Sequence, residues 1–420
     1  MANTLHPPSS ILHSPSSIVV LVLATFGLPF ATTLAADELS TTRQVQVTDS
    51  AGNVRQGTLS GLGSGLLTLA TSKQLRLSTN DLVLMKVKDR TSVLASEDPL
   101  VILAGGDVLA VRPENIDDES LIGRWVRFPA WPNLKIPLEA VRGVIVEPPT
   151  GAAARTRLFD QILDFVDPHD SVILTNGDML TGEFSGLDEQ KLLLETPLGK
   201  SAIERAGIRA MIFNPTLTSN EPWPGEGALV SLVDGSRFRV KDVKFAGPDH
   251  LSMRTQFGAL FELPWAAVES LRFLGGCATY LSDITPVEYN FEPFFDLEWP
   301  LRRDRSVGGG FLTLRRVEYP KGLGVHSRST MTYRLGGKFR RFQATIGIDD
   351  SAAGKGSVVF EVLLDGRTAY KSPVVTGASP PVVIERLDVT GSKIMTLRVD
   401  YATEGDILDH ADWCDALLIK

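Results

Sequence analysis

Four short runs in the last third of the chain gather the side chains able to do chemistry. KGLGVHSRS (Lys321–Ser329) sets His326 and Arg328 beside two glycines, and DHADW (Asp409–Trp413) contributes Asp409, His410, Asp412 and Trp413. RRDRSVGGG (302–310) carries Arg303, Asp304 and Arg305, and Asp349 and Asp350 stand side by side ahead of a glycine-rich stretch. Such a set admits three roles: a catalytic histidine, a metal ligand, or a surface that holds another molecule. Zinc is disfavoured, because none of the 6 histidines has a partner at local ligand spacing. A structural Ca²⁺ on Asp349, Asp350 or Asp406 with backbone carbonyls would suit a hard cation. His326 also has a plain structural reading, capping a turn or bonding a buried carboxylate such as Asp409 or Asp412. DHADW can likewise be a network that pins the last strand, with Trp413 in the core. That reading is favoured over direct ligand contact, because buried charged groups exist as satisfied pairs.

The whole chain bounds these options. At 420 residues it exceeds one typical domain, and 43% hydrophobic with 22% charged residues is the composition of an ordinary folded protein. Its 37 glycines and 25 prolines imply many turns and short strands. A net charge of −8 weighs against nucleic acid, and the clusters Arg302, Arg303, Arg305 and Lys338, Arg340, Arg341 are local and flanked by acids. At the N-terminus, IVVLVLATFGLPF (18–30) has the length of a signal h-region, and TTLAAD places small residues for cleavage after Ala35 or Ala36. Residues 1–36 are therefore expected to be an export signal, with a secreted, periplasmic or cell-envelope destination. No Lys or Arg precedes Arg43, so an uncleaved anchor is the competing reading. Two cysteines, Cys277 and Cys414, fit an oxidising compartment. They fall on the first and last strands of one domain, and a disulfide is expected between them.

The elements that must position these side chains divide into two textures. Over 45–276 one pattern recurs: a short strand, a glycine turn, a second strand, a loop, an alternating strand, a further turn and a β-branched or aromatic strand. The clearer copies are 172–214 and 230–274, with turns at Asn176-Gly177 and Asp234-Gly235; weaker copies cover 45–89 and 101–148. About five short strands each can close a small barrel, so 45–148 and 170–276 each hold two small β-barrel-like units. Between them, 149–169 reads as a helical linker, with Leu158, Ile162, Phe165 and Val166 at helical spacing and Pro168 as a stop. Asn214–Gly227 is a proline-rich linker. The NGD and GGD stretches read as hairpin turns before metal loops, because Asn, Asp and Gly are what such turns require. Trp125, Trp131, Trp223 and Trp265 are expected to pack rather than to line a groove.

From Tyr280 onward the strands lengthen and alternate strictly. Phe342, Ala344, Ile346 and Ile348 fall on one face; so do Val358, Phe360, Val362 and Leu364, and again Met395, Leu397, Val399 and Tyr401. Period-two alternation over several strands argues for an antiparallel β-sandwich. YLSDITPVEY, RRDRSVGGG, KGLGVHSRS, YRLGGKFRRFQATIGIDDSAAGKGSVVFEVLLDG and DHADWCDALL resemble, in order and spacing, the NPCBM family of carbohydrate-binding modules, also called the glycosyl hydrolase family 98 carbohydrate-binding module and often attached to glycosidases. The resemblance covers 277–420. It implies a jelly-roll, galactose-binding-like sandwich whose characterised relatives bind galactose-containing glycans. Cys414 stands where the family pattern suggests a small residue, which agrees with the expected disulfide. The whole chain is thus expected to be all-β: tandem small barrels, then a jelly roll.

In such a sandwich, 302–310, 321–329, 349–356 and 404–413 are inter-strand loops. The expected glycan ligands on them are Arg303, Asp304, Arg305, His326, Arg328, Asp349, Asp350, Asp409, His410, Asp412 and Trp413. Planar polar groups can bond vicinal hydroxyls, and Trp413 or Trp299 can stack on a sugar's C–H face. No glycosidase barrel precedes the module, and the small units leave no room for the two carboxylates in a cleft that glycoside hydrolysis needs. The leading expectation is therefore an exported, non-catalytic glycan-binding protein with no cofactor other than a structural Ca²⁺. The alternatives are an envelope assembly protein that binds protein partners through its β units, and an accessory part of a glycoside hydrolase.

Overall fold

The computed structural model describes residues 43–420 except 96, 118, 130, 132, 220–224, 294–296 and 404. The expected signal at 1–36 and Trp223 lie outside the described residues. Up to residue 274 the chain repeats one plan four times. The first strands are Gln44–Asp49, Leu100–Leu103, Asp170–Leu174 and Gly227–Leu232, and each pairs antiparallel with the last strand of its own unit. Those last strands are Leu82–Val87, Val141–Ile145, Ile208–Ile212 and Val268–Leu274, and a single 3₁₀ turn precedes each of them. Each unit's long second stretch slips register against its third strand, for example between Leu59 and Gly61 and between Phe184 and Gly186. Such bulges bend a strand and let a five-strand sheet curl on itself.

The four units do not form a simple string. The last strands of the first and fourth pair (Ser270↔Lys86, Leu271↔Met85), and those of the second and third pair (Gly143↔Ile212, Val144↔Met211). One continuous core runs through all four, with Trp125 and Trp265 fully buried and Trp131 stacked on Phe128. Helix α1 (Ala152–Leu163) lays Leu158, Phe159 and Ile162 on the outer face of the paired second and third units. It ends one turn earlier than the spacing suggests, so Val166 lies beyond it at 85% exposure. Among the described residues no helix is long and apolar enough to cross a membrane.

The C-terminal domain is an antiparallel sandwich of two sheets. One runs in the order Arg302–Arg303, Gly322–Val325, Ala411–Ile419, Arg341–Ile348, Val382–Asp388, with Ala278–Tyr280 also paired to Ala411–Ile419. The other runs Glu288–Phe291, Ser329–Arg334, Ile394–Tyr401, Ser357–Leu364, Arg367–Lys371. The alternating residues fill the space between, where Phe360 meets Trp413 edge-to-face at 5.0 Å. At the Asp365-Gly366 hairpin both residues take positive φ (47° and 82°), as a two-residue primed turn demands.

Two expectations are corrected here. KGLGV is a strand, not a loop: Gly322–Val325 pairs with Ala411–Ile419, and a Cβ on Gly324 would sit 2.7 Å from Val307 N and 2.8 Å from Ser306 Cα. Its glycines permit close backbone approach rather than a turn. The cysteines are both free thiols. They do lie on neighbouring strands, but Cys277 faces Lys420, bonding it backbone to backbone, while Cys414 is six residues away along that strand. At about 3.3 Å per residue that is a separation of about 20 Å, against the roughly 7 Å that a disulfide tolerates.

The two halves are packed together. Val83, Leu229, Leu274, Tyr280, Leu417 and Ile419 share one apolar cluster. Phe159 of α1 meets Phe311 at 4.7 Å, and the Arg237 guanidinium lies 3.6 Å from the centre of the Phe311 ring.

Candidate functional site

At one end of the sandwich the chain leaves the buried strand Gly322–Val325 and enters Ser329–Arg334 through His326, Ser327 and Arg328. Arg328 takes a positive φ of 64° to make the corner. His326 is 3% exposed and His410, immediately before the last strand, 6%. Trp299, half-buried, lies flat on the His326 ring at 4.8 Å with planes 5° apart, and tilts against His410 at 5.6 Å. Phe291 closes on His326 edge-on at 6.2 Å, and the two imidazoles are 6.1 Å apart. Burial, aided by the neighbouring His410, pushes His326 down to about 4, and burial lowers His410 as well. Both rings are therefore neutral at pH 7, each with one N–H donor and one acceptor nitrogen. Ser351 Oγ lies 2.9 Å from His410 Nδ1. On the outer side, Arg328 pairs with Glu292 and faces the Tyr401 ring at 5.9 Å. An indole backed by two neutral imidazoles, with a guanidinium and a carboxylate beside it, offers stacking and hydroxyl-directed hydrogen bonds.

Of the expected ligands, this rim collects His326, His410 and Arg328. The others serve elsewhere. Trp413 is 0% exposed inside the core, so the stacking residue at the rim is Trp299. Asp409, also 0% exposed, accepts the Ser357 amide at 2.7 Å, pinning the start of a core strand. Asp349 accepts the amides of Thr313 and Ser351, both at 2.8 Å, and Asp350 those of Arg315 and Arg316 at 2.9 and 2.7 Å. These two carboxylates brace loops rather than face solvent together. Asp412 is fully buried beside Asp349, and burial together with that neighbouring acid raises its pKa well above the carboxylate range, so it is a neutral carboxyl. Among the described residues no group of three or more His, Cys, Asp or Glu is arranged to hold a metal ion.

The 302–310 run faces the other half of the molecule. Asp304 accepts the Gly322 amide at 2.9 Å and Lys321 Nζ at 2.7 Å. Arg305 bonds Asp160 and Asp164 of the α1 region at 3.0 and 2.7 Å, and Arg302 takes both oxygens of Asp164 at 2.6 and 2.7 Å. These guanidiniums hold Asp164 below the usual carboxylate range against the opposing effect of burial. The Gly310 amide bonds Asp160 at 3.0 Å. Gly308 lies so close to His410 and Ser351 that a Cβ there would overlap both. The triple glycine is thus a bridge between the rim and α1. Phe291, Glu292, Ser351 and Tyr401 were not foreseen. The one signal for the first two is their place in the aromatic, acidic segment NFEPFFDLEW (290–299).

The C-terminal domain is thus a jelly-roll sandwich with an aromatic, imidazole-lined rim at one end. Residues 278–419 match the family model of the NPCBM/NEW2 domain, and the C-terminal third of the chain is a domain of that family. A Renibacterium salmoninarum protein named as an endo-alpha-N-acetylgalactosaminidase is 35% identical over 136 residues, which is 29% of this chain and 9% of that protein. Alpha-1,3-galactosidase B of Akkermansia muciniphila is 30% identical over 117 residues, 27% of this chain and 15% of the enzyme. The chain therefore spans only a small part of these relatives. Among solved structures, the CBM51 module of Clostridium perfringens GH95 in complex with methyl-galactose is 26% identical, with a TM-score of 0.31. The match covers 34% of this chain and 99% of that one.

Proposed function

We propose that this is an exported, non-catalytic carbohydrate-binding protein that holds a galactose-containing glycan on the rim formed by Trp299, His326, His410 and Arg328. One observation carries the reading: a half-buried indole is fixed flat on a neutral imidazole at the end of a sandwich from a carbohydrate-binding family. A sugar's C–H face can lie on the indole, while neutral imidazole nitrogens and the Arg328–Glu292 pair meet its hydroxyls. The curated relatives named as a galactosidase and an N-acetylgalactosaminidase support galactose-type sugars as the first to be tried. The test is a glycan array on the full chain, followed by calorimetric titration with methyl galactoside and with Trp299→Ala. Binding of one or more galactose-terminated glycans, weakened in the variant, is expected. Silence on every glycan class, or equal binding by the variant, would overturn the proposal. Export is checked separately by the N-terminal sequence of the protein recovered from its source; a mature chain starting near residue 36 is expected.

A further inference from the structure

Away from the rim, a concavity of about 630 Å³ opens where the β units meet the sandwich. The loop 104–107 and Arg239 wall it on one side, Tyr280–Thr285 line another, and Arg303–Arg305 with Lys321 close the third. Most of its charges are already matched. Arg239 is held by Asp107 at 3.1 Å, Arg305 by Asp160 and Asp164, and Arg237 by Glu318. Lys321, buried, sits between Asp283 and Asp304 at 2.6 and 2.7 Å. Two groups on the cleft are not matched. Arg303 is exposed and its guanidinium makes no hydrogen bond or ion pair among the described residues, although it stands between Arg302 and Arg305, which are both paired. Ser282 is 5% exposed, and its hydroxyl has no hydrogen-bond partner among the described residues.

A spare guanidinium presents parallel N–H donors suited to a carboxylate or sulfate, and a dry hydroxyl left unpaired costs free energy until something bonds it. The same walls carry the carboxylates of Asp283 and Asp304, whose side chains are 35% and 34% exposed. These would repel a purely anionic ligand but accept hydroxyl protons. The occupant that satisfies both halves bears one acidic group and several hydroxyls, and the cleft has the size of ordinary small-ligand sites. We infer that this junction cleft binds an acidic saccharide, with Arg303 on its carboxylate or sulfate and Asp283, Asp304 and Ser282 on its hydroxyls. The site belongs to neither half alone and does not rest on the rim reading.

The test titrates the full chain with digalacturonate, galactose 6-sulfate and lactose at two salt concentrations. Binding is expected for one acidic probe, weaker at high salt; which of the two binds tells carboxylate from sulfate. Arg303→Ala should weaken it tenfold or more, Arg303→Lys less, because lysine keeps the charge but not the fork. Both variants should keep a thermal midpoint near that of the wild type, since the strand pairing of Arg303 with Leu323 is made by the backbone and its guanidinium holds no ion pair among the described residues. No binding of either acidic probe at millimolar concentration, or equal affinity in Arg303→Ala, would overturn the inference. Either result leaves a galactoside titration at the rim interpretable by itself.

Discussion

Replacing Trp299 with alanine separates the proposed sugar-binding role of the rim from every purely structural account of it. A tryptophan buries about 150–250 Å² when wholly covered. This one is half-buried, and one of its faces is spent on His326. About 80 Å² of indole is left for a sugar, and at about 25 cal/mol per Å² that is worth about 2 kcal/mol, or about thirtyfold in Kd. Loss of the ring stack should cost about 1 kcal/mol of folding stability, too little to unfold a domain of this size. The substitution also admits water to His326, whose pKa of about 4 is set mainly by burial, and that value should climb toward 6.5. The sign follows from linkage. The unfolded chain takes up this proton near 6.5 and the folded chain only near 4, so the stability contribution is complete above 6.5 and is lost as pH falls toward 4. In Trp299→Ala that loss should shrink. Calorimetry with methyl galactoside measures the first effect, and NMR titration of the imidazole with melting curves at pH 4–7 measures the second. A folded variant that binds galactoside within twofold of the original, with His326 still titrating near 4, would refute the reasoning.

Three further outcomes are expected. Asp412→Asn should be at least as stable at pH 7, because the buried carboxyl keeps a proton that the unfolded chain releases near 4. That contribution is full below pH 4 and is lost as pH rises toward the folded pKa, so the variant's stability should vary less between pH 4 and 8; a loss of more than about 2 kcal/mol at pH 7 in denaturant titration would contradict it. Gly324→Ala should lower stability by about 3 kcal/mol or more, because its Cβ would press on backbone at Arg305, Ser306 and Val307; a near-neutral melting temperature would refute it. Alkylation of the denatured, unreduced chain should add two labels, one on Cys277 and one on Cys414, as read by mass spectrometry; an unlabelled pair would restore the disulfide.

Much of the architecture is legible in local pattern. Strict alternation marks Arg341–Ile348 and Ser357–Leu364, where Phe342, Ile346, Val358 and Phe360 prove fully buried. Tyr401 breaks its own series, exposed at the strand end beside Arg328. Glycine turns mark the hairpins of the small units, but which unit pairs with which depends on edge strands whose sequences carry no address. The rim was half legible. Histidine and arginine at KGLGVHSRS could be named, whereas the flatness of Trp299 on His326 depends on 26 intervening residues returning to the same corner. Asp349, Asp350, Asp409 and Asp412 look like ligands by type. Only packing reveals that backbone amides occupy three of them and that burial leaves the fourth neutral.

The triple glycine explains why the sandwich is best studied within the whole chain. Gly308 touches the rim at His410 and Ser351, while Gly309 and Gly310 meet Asp160 and Thr156 of α1. Side chains at these positions would force rim and helix apart, so their absence is a requirement of the joint. The joint is fastened by ionic contacts: Arg302 and Arg305 on Asp164, Arg305 and the Gly310 amide on Asp160. Cut from the rest, a 278–420 fragment would leave two guanidiniums and an amide without their acceptors, in the 302–310 segment whose Gly308 contacts His410. Charge-assisted bonds contribute about 1.5–3 kcal/mol each where water is excluded and less where it is not. Their loss would let 306–310 shift against His410. A weaker affinity in the fragment than in the full chain would then report a displaced loop rather than a missing sugar contact. Charge-removing substitutions at Asp160 and Asp164 in the intact chain should reproduce it.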